Sequence, residues 1–256
     1  MESVETENKN KQRIKTNQCA PGWARNSQEN RSHPVFLCFN SYMNQSTLCK
    51  YEAIYDKMQS QYGDPNFCSI HFGGCTERPK LALVFMNPTA RNIATHPDWQ
   101  GLRAPWVGTK NVWSFLCSID VISKETLAAI RTRKGVDWSP EFATQVYDDV
   151  AAHGVFITNL AKCTQKDARP LPDRVFEQYR EYLMGELTCV RPEQAILFGN
   201  QVSSIVLQQK ISVSQCRKSN YQKAGLNFWP VYYPVGNGFM NVDKAIEDIR
   251  FILAHY

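Results

Sequence analysis

Four short, unbroken apolar runs constrain this chain more than any other feature. They are LALVFM (81–86), VFITNL (155–160), QAILF (194–198) and NFWPVYY (227–233). A strand with one wet face alternates apolar and polar residues, whereas a strand covered on both faces does not. The first three runs show no alternation and are too short for helices, so they read as buried strands of a parallel sheet. The fourth holds Pro230, which has no N–H for a ladder, and reads as an edge or irregular strand. Helical periods lie between the runs. Pro140–His153 precedes the second. Asp173–Cys189 sets Val175, Phe176, Tyr179, Leu183 and Leu187 on one stripe, Asn200–Gln209 carries Val202, Ile205 and Val206, and Val242–Ala254 carries Ala245, Ile249 and Ile252. Strand–helix alternation of this kind predicts an α/β protein: a three-layer α/β/α sandwich around a central four-stranded, mainly parallel sheet.

Hydrophobic residues make up 43% of the 256, enough for a core, which excludes a wholly disordered or fibrous chain. Residues 1–33 are polar and aperiodic, with six basic positions (Lys9, Lys11, Arg13, Lys15, Arg25 and Arg31) against four glutamates. They read as a disordered tail, a solubilising segment before a weak phosphate-attracting arm, ahead of a single domain over 34–256. No run of 18 apolar residues exists, so no membrane span is expected. The N-terminal MESVETENKNKQRIK has no apolar stretch, so no secretion signal is expected either. Nine cysteines without such a signal read as reduced thiols or metal ligands in a cytoplasmic protein, or a nuclear one in a eukaryotic host. A net charge of +5 is compatible with a polyanionic partner without demanding one.

Absences narrow the chemistry. The sequence lacks the phosphate-loop, dinucleotide, zincin, zinc-deaminase and nucleophile-elbow signatures. Its five histidines are scattered and none directly follows a strand. In open parallel sheets ligands sit outside the carboxyl ends of the strands. Here those ends are Asn87-Pro88-Thr89-Ala90, Asn159-Leu160-Ala161-Lys162-Cys163, Gly199-Asn200 and Pro234-Val235-Gly236-Asn237-Gly238. Asn recurs among them, and its amide both donates and accepts. Such ends suit a neutral, hydrogen-bonding ring and are poor for a triphosphate.

From about Lys80 to the C-terminus the chain resembles the uracil-DNA glycosylase superfamily, nearest its iron–sulfur branch of family 4 and 5 type. LALVFMNPTA sits where that superfamily has its water-activating motif, in the variant with Asn. GLRAPWVGT (101–109) resembles the segment whose aromatic stacks on the extruded base. FITNLAKC (156–163) resembles the strand that supplies the base-reading Asn and then a cluster cysteine. ARPLPDRVFEQYREYLMGEL and RPEQAILFGN continue the match, and PVGNG (234–238) stands at the last, intercalating motif. That motif normally has a His, where this chain has Tyr233.

The resemblance implies catalytic roles for Asn87, Tyr233 and Gly236. Asn87 would hold the attacking water, and backbone N–H groups around Gly236 would stabilise the leaving base. It implies base binding by Pro88, Trp106 and Asn159, and DNA contact by Asn237 and Gly238 of the last motif; Lys110, Lys162 and Arg169, in or next to the strand-end loops, would meet phosphates from the same rim. Each has a plainer reading as turn former, core aromatic, cap or surface cation. The chemistry itself needs no cofactor. The resemblance nevertheless implies a four-iron four-sulfur cluster on Cys68, Cys75 and Cys163, with Tyr179 at the position of the fourth cysteine. Cys38 and Cys49 are further thiol candidates. The expected partner is uracil-containing DNA, single- or double-stranded, bound by a monomer. Two functions follow: a DNA glycosylase of base excision repair that hydrolyses the N-glycosidic bond of a damaged base, or a catalytically weakened nucleic-acid- or nucleobase-binding relative.

Overall fold

The structure, a computed structural model, describes residues 36–256 other than Arg169 and Pro170. The expected 1–33 tail lies outside the described residues. Helix α1 (Phe36–Tyr62) leads into strand β1 (Phe72–Gly74) and strand β2 (Leu81–Phe85), then helices α2 (Asn111–Ser118), α3 (Lys124–Thr132) and α4 (Pro140–Ala152). Strand β3 (Val155–Asn159), helix α5 (Asp173–Val190), strand β4 (Gln194–Phe198) and helix α6 (Asn200–Leu207) follow. Strands β5 (Tyr221–Lys223) and β6 (Leu226–Val231) and helix α7 (Val242–His255) close the chain.

The fold is α/β with one six-stranded mixed sheet in the order β1-β3-β2-β4-β6-β5. The four strands read from the apolar runs form its parallel centre. The expected four-stranded sheet is thus corrected to six. Both added strands are three residues long and pair antiparallel at the two edges, too short to carry a readable period. Strand β6 is not an edge strand, as Pro230 had predicted. Its ladder with β5 ends at Phe228, however, and Pro230 pairs only with Leu197 of β4. The missing N–H therefore falls on the side that β5 has already left.

Alternate residues of the central strands enter two cores, one per face. Leu81, Leu83, Phe85, Ile157, Ile196 and Phe198 pack with α2, α3, α4 and α7. Ala82, Val84, Phe156, Ala195 and Leu197 pack with α1, α5 and α6. Local chemistry starts and stops the helices. Ser139 accepts from Phe142 N at the start of α4, with Pro140 in the first turn, where its missing N–H costs nothing. Arg191 in the left-handed region ends α5.

Helices α1, α2 and α3 have no counterpart among the helical stripes of the sequence. In α1, Tyr51 and Tyr55 pack against Tyr182, and Tyr55 and Tyr62 against Tyr179. A face on which Tyr51, Tyr55 and Tyr62 are mixed with Leu48, Ile54 and Met58 does not register as an apolar stripe, although rings bury area as aliphatic side chains do.

Candidate active site

The chain leaves β2 toward helices on one face of the sheet and leaves β3 toward α5 on the other. The adjacent carboxyl ends of β2 and β3 are therefore a topological switch point, where parallel sheets hold ligands. Phe85 ends β2 and is the register partner of Asn159 at the end of β3. The two exits stay joined beyond the sheet: Leu160 N donates to Phe85 O, Ala161 N to Met86 O, and Gln165 N to Pro88 O at 2.8, 3.0 and 3.1 Å. Asn87, Pro88 and Asn159 are thereby held side by side.

Three more aromatic rings surround Phe85. Phe198 stacks on it at 4.5 Å between centroids, Trp106 meets it edge-on at 5.0 Å, and Tyr233 at 6.2 Å. Trp106 adopts φ +70, a conformation uncommon for a bulky residue and one that marks functional turns. Its carbonyl accepts from Thr109 N, Thr109 Oγ1 and Trp113 Nε1. Asn92 Nδ2 holds the Ala104 carbonyl at 2.8 Å, and the Tyr147 hydroxyl holds that of Pro105. The loop is thus fixed on both sides of the tryptophan.

The polar groups here are in part unpaired. Asn159 is 2% exposed, and its Nδ2 has no hydrogen-bond partner. The Trp106 Nε1 is buried and equally unpaired. A buried donor without an acceptor costs about 1–3 kcal/mol, so two near one strand end are an expense that a bound ligand's acceptors would remove. Asn87 is half-buried, and its Nδ2 donates to Pro88 O at 3.0 Å. That bond sets the amide so that Oδ1 is the atom left to accept from a water.

Tyr233 lies over Gly199 after β4, and burial pushes its phenol above the ordinary range. Past it the chain turns through a 3-10 segment, Gly236–Asn241. A Cβ on Gly238 would collide with the Tyr233 carbonyl oxygen, so this turn admits only glycine. Asn237 lies within it. The next two residues, Phe239 and Met240, are 65% and 89% exposed. Neither belongs to the PVGNG motif that ends at Gly238, although two large apolar residues beside a Gly-rich turn are a signal in their own right.

A model of the Uracil DNA glycosylase superfamily matches residues 77–249. The chain belongs to this superfamily. The match takes in every strand end described above, and it gives the chain a DNA-glycosylase-like function in general terms, on DNA and at N-glycosyl bonds. Among the described residues no helix is long and apolar enough to cross a membrane.

One expected DNA contact of this glycosylase-superfamily chain is overturned. Lys162 is fully buried, with its Nζ 2.7 Å from Glu186 Oε2. The same Nζ is bonded to Thr158 Oγ1, and Tyr55 donates to Glu186 Oε1 at 2.7 Å. Burial pulls the ammonium down while Glu186 opposes that shift. Lys162 is a structural cation that ties α1, β3 and α5 together through Tyr55, Thr158 and Glu186, and no phosphate reaches it. The Arg169 assignment lies outside the described residues. Lys110 is exposed just before α2, its Nζ on the Arg131 carbonyl at 3.2 Å.

The cysteines do not fit an iron–sulfur cluster. Cys75 N bonds Val155 O at the amino end of β3, whereas the Cys68 carbonyl accepts from Thr164 Oγ1 beyond its carboxyl end. Cys163 lies near Cys68 but is buried against Tyr179, and burial pushes its thiol up. Cluster ligands are thiolates on one small core. Cys68, Cys75 and Cys163 instead straddle the length of a strand, with a phenol at the fourth position. Among the described residues no three His, Cys, Asp or Glu side chains are grouped to hold a metal ion. The side chains of Cys38 and Cys49 lie outside the described set.

Proposed function

We propose that the protein is a monofunctional DNA glycosylase that extrudes a damaged base, uracil foremost, and hydrolyses its N-glycosidic bond, acting as a monomer on single- or double-stranded DNA. The observation that carries this reading is the buried, unpaired Nδ2 of Asn159 opposite Phe85. Uracil offers O4 as an acceptor for that donor and N3–H as a donor for Oδ1, whereas cytosine reverses both. Trp106 stacks on the extruded ring. The electron pair of the C1′–N1 bond leaves with the base, whose anion faces backbone N–H groups of the 234–238 loop. Water adds to C1′ while its hydrogen is accepted by Asn87 Oδ1, and its proton passes to the released base or to solvent. An amide orients water but does not deprotonate it, so the rate rests on departure of the leaving group. Phe239 and Met240 fill the gap left in a duplex. We read the chain as nearest the family 4 and 5 branch, with Asn in place of a carboxylate in the first motif.

The second reading, a binding module without turnover, draws on Tyr233. It stands where the superfamily offers a histidine, and burial keeps its phenol protonated. Release of free base from uracil-containing oligonucleotides decides. Turnover supports the glycosylase, while tight binding without release of uracil, hypoxanthine or xanthine supports the module and overturns the first reading.

A further inference from the structure

The segment Arg131-Thr132-Arg133-Lys134-Gly135-Val136 takes no part in the pocket, yet it rests on the loop that carries Trp106. At the crossing, a Cβ on Gly135 would collide with the Gly108 carbonyl oxygen, so the two backbones meet at closest approach through paired glycines. Four cations gather there: Lys110, Arg131, Arg133 and Lys134. Three are anchored, and always by neutral groups. Lys110 Nζ bonds the Arg131 carbonyl at 3.2 Å, and Arg131 bonds Ser114 Oγ at 3.2 Å. Arg133 lies 4.0 Å over the Phe142 ring and bonds Ala129 O at 2.9 Å.

Among the described residues none of the four makes an ion pair. Arg217 and Lys218, by contrast, are neutralised by Glu247 and Asp248, and Arg103 by Asp56. Neutral anchoring fixes where a guanidinium sits while leaving its charge and its remaining donors free. Part of the ordering cost of binding is then met beforehand. Val136 completes the segment as an apolar knob, 79% exposed beside these cations. Fixed, unneutralised cations around a small apolar tip match a duplex backbone, with phosphates for the cations and a sugar edge for the valine.

We propose that Arg131–Val136, with Lys110, is a second DNA-contacting arm, which grips the duplex backbone flanking the extruded nucleotide on the side of Trp106. This rests on the reading of the protein as DNA-directed, but not on its turnover.

The test measures binding of the full chain to a short duplex, with and without one uracil, over a salt series. The variants are Arg131→Gln/Arg133→Gln/Lys134→Gln and Lys134→Gln alone, the latter altering an exposed side chain. A control, Arg78→Gln/Lys80→Gln/Arg191→Gln, removes equal charge beside the amino ends of β2 and β4. The triple arm variant should flatten the slope of log K against log salt by about 2–3 and the single variant by about 1. Both duplexes should be affected equally and the control should move little. An unchanged slope in the triple variant, an equal drop in the control, or a wild type without affinity for duplex overturns the arm. A wild type that binds with steep salt dependence, loses that slope in the arm variant and releases no base supports the arm and overturns the glycosylase reading alone.

Discussion

Asn159 stands opposite Phe85 in the parallel ladder, 2% exposed and with its amide nitrogen unpaired. A buried donor that costs stability at the mouth of a sheet is placed for a ligand. Asn159→Asp keeps an acceptor and loses the donor. Uracil release should fall roughly a hundredfold, and the preference for uracil over cytosine should collapse or reverse. Asn159→Leu should abolish release yet hold or raise the melting temperature, because the unpaired donor is gone. Steady-state assays on the two bases, with thermal melts, check both outcomes.

Asn87→Ala should bind uracil-containing DNA as the wild type does but lose about 2–4 kcal/mol of transition-state stabilisation, roughly thirtyfold to a thousandfold in single-turnover rate. A proportional loss of binding would move Asn87 from water-holding to base-holding.

The pH profile should report the absence of an ionising catalyst. Asn87 and Asn159 do not titrate, and burial moves Tyr233 upward, so its phenol stays protonated through neutral and mildly alkaline pH. Wild-type single-turnover rates should be flat between roughly pH 5.5 and 9. Asn87→Asp adds a base that works only when ionised. Its rate should rise with pH through the new carboxyl's pKa, giving an acid limb that the wild type lacks. A wild-type limb near pH 6–7 would point to a histidine outside this constellation.

Phe239→Ala/Met240→Ala should lower activity on duplex by about 10–100-fold, since refilling a vacated base step is worth roughly 1–3 kcal/mol. Single-stranded substrate has no step to refill and should change little. Gly238→Ala should impair both substrates, because its Cβ displaces the Tyr233 carbonyl.

Lys162→Met should destabilise the fold by about 3–5 kcal/mol, leaving Glu186 buried without its cation. Lys162→Met/Glu186→Leu should recover most of that loss. Neither should alter the salt slope of DNA binding, which a phosphate-contacting lysine would. Urea denaturation and a salt titration separate the two roles.

Much of the fold was legible because its centre is made of continuous runs. Gln194–Phe198 appears as read, and the other three central strands shift by one or two residues. Asn87, Trp106, Asn159 and Tyr233 were legible as strand-end or turn residues, and the register of β2 with β3 brings the two asparagines together. The edge strands were not legible, because three residues hold no period. Nor was α1, whose buried face depends on tyrosines meeting tyrosines of α5.

The sequence by itself determined the buried parallel centre, helices α4 to α7 and the Asn-bearing ends, but not α2 and α3, since continuous apolar runs, helical stripes and turn chemistry are local. Only the tertiary structure decided what each charged side chain does. Lys162 looked like any loop cation until Glu186, 24 positions away, and Tyr55, more than a hundred away, enclosed it. Arg131 and Arg133 looked equally ordinary until neutral partners fixed them without cancelling their charge. Whether a charge is solvated, paired or held ready depends on groups distant in sequence, because the local dielectric and the nearest counter-charge are properties of the packed chain.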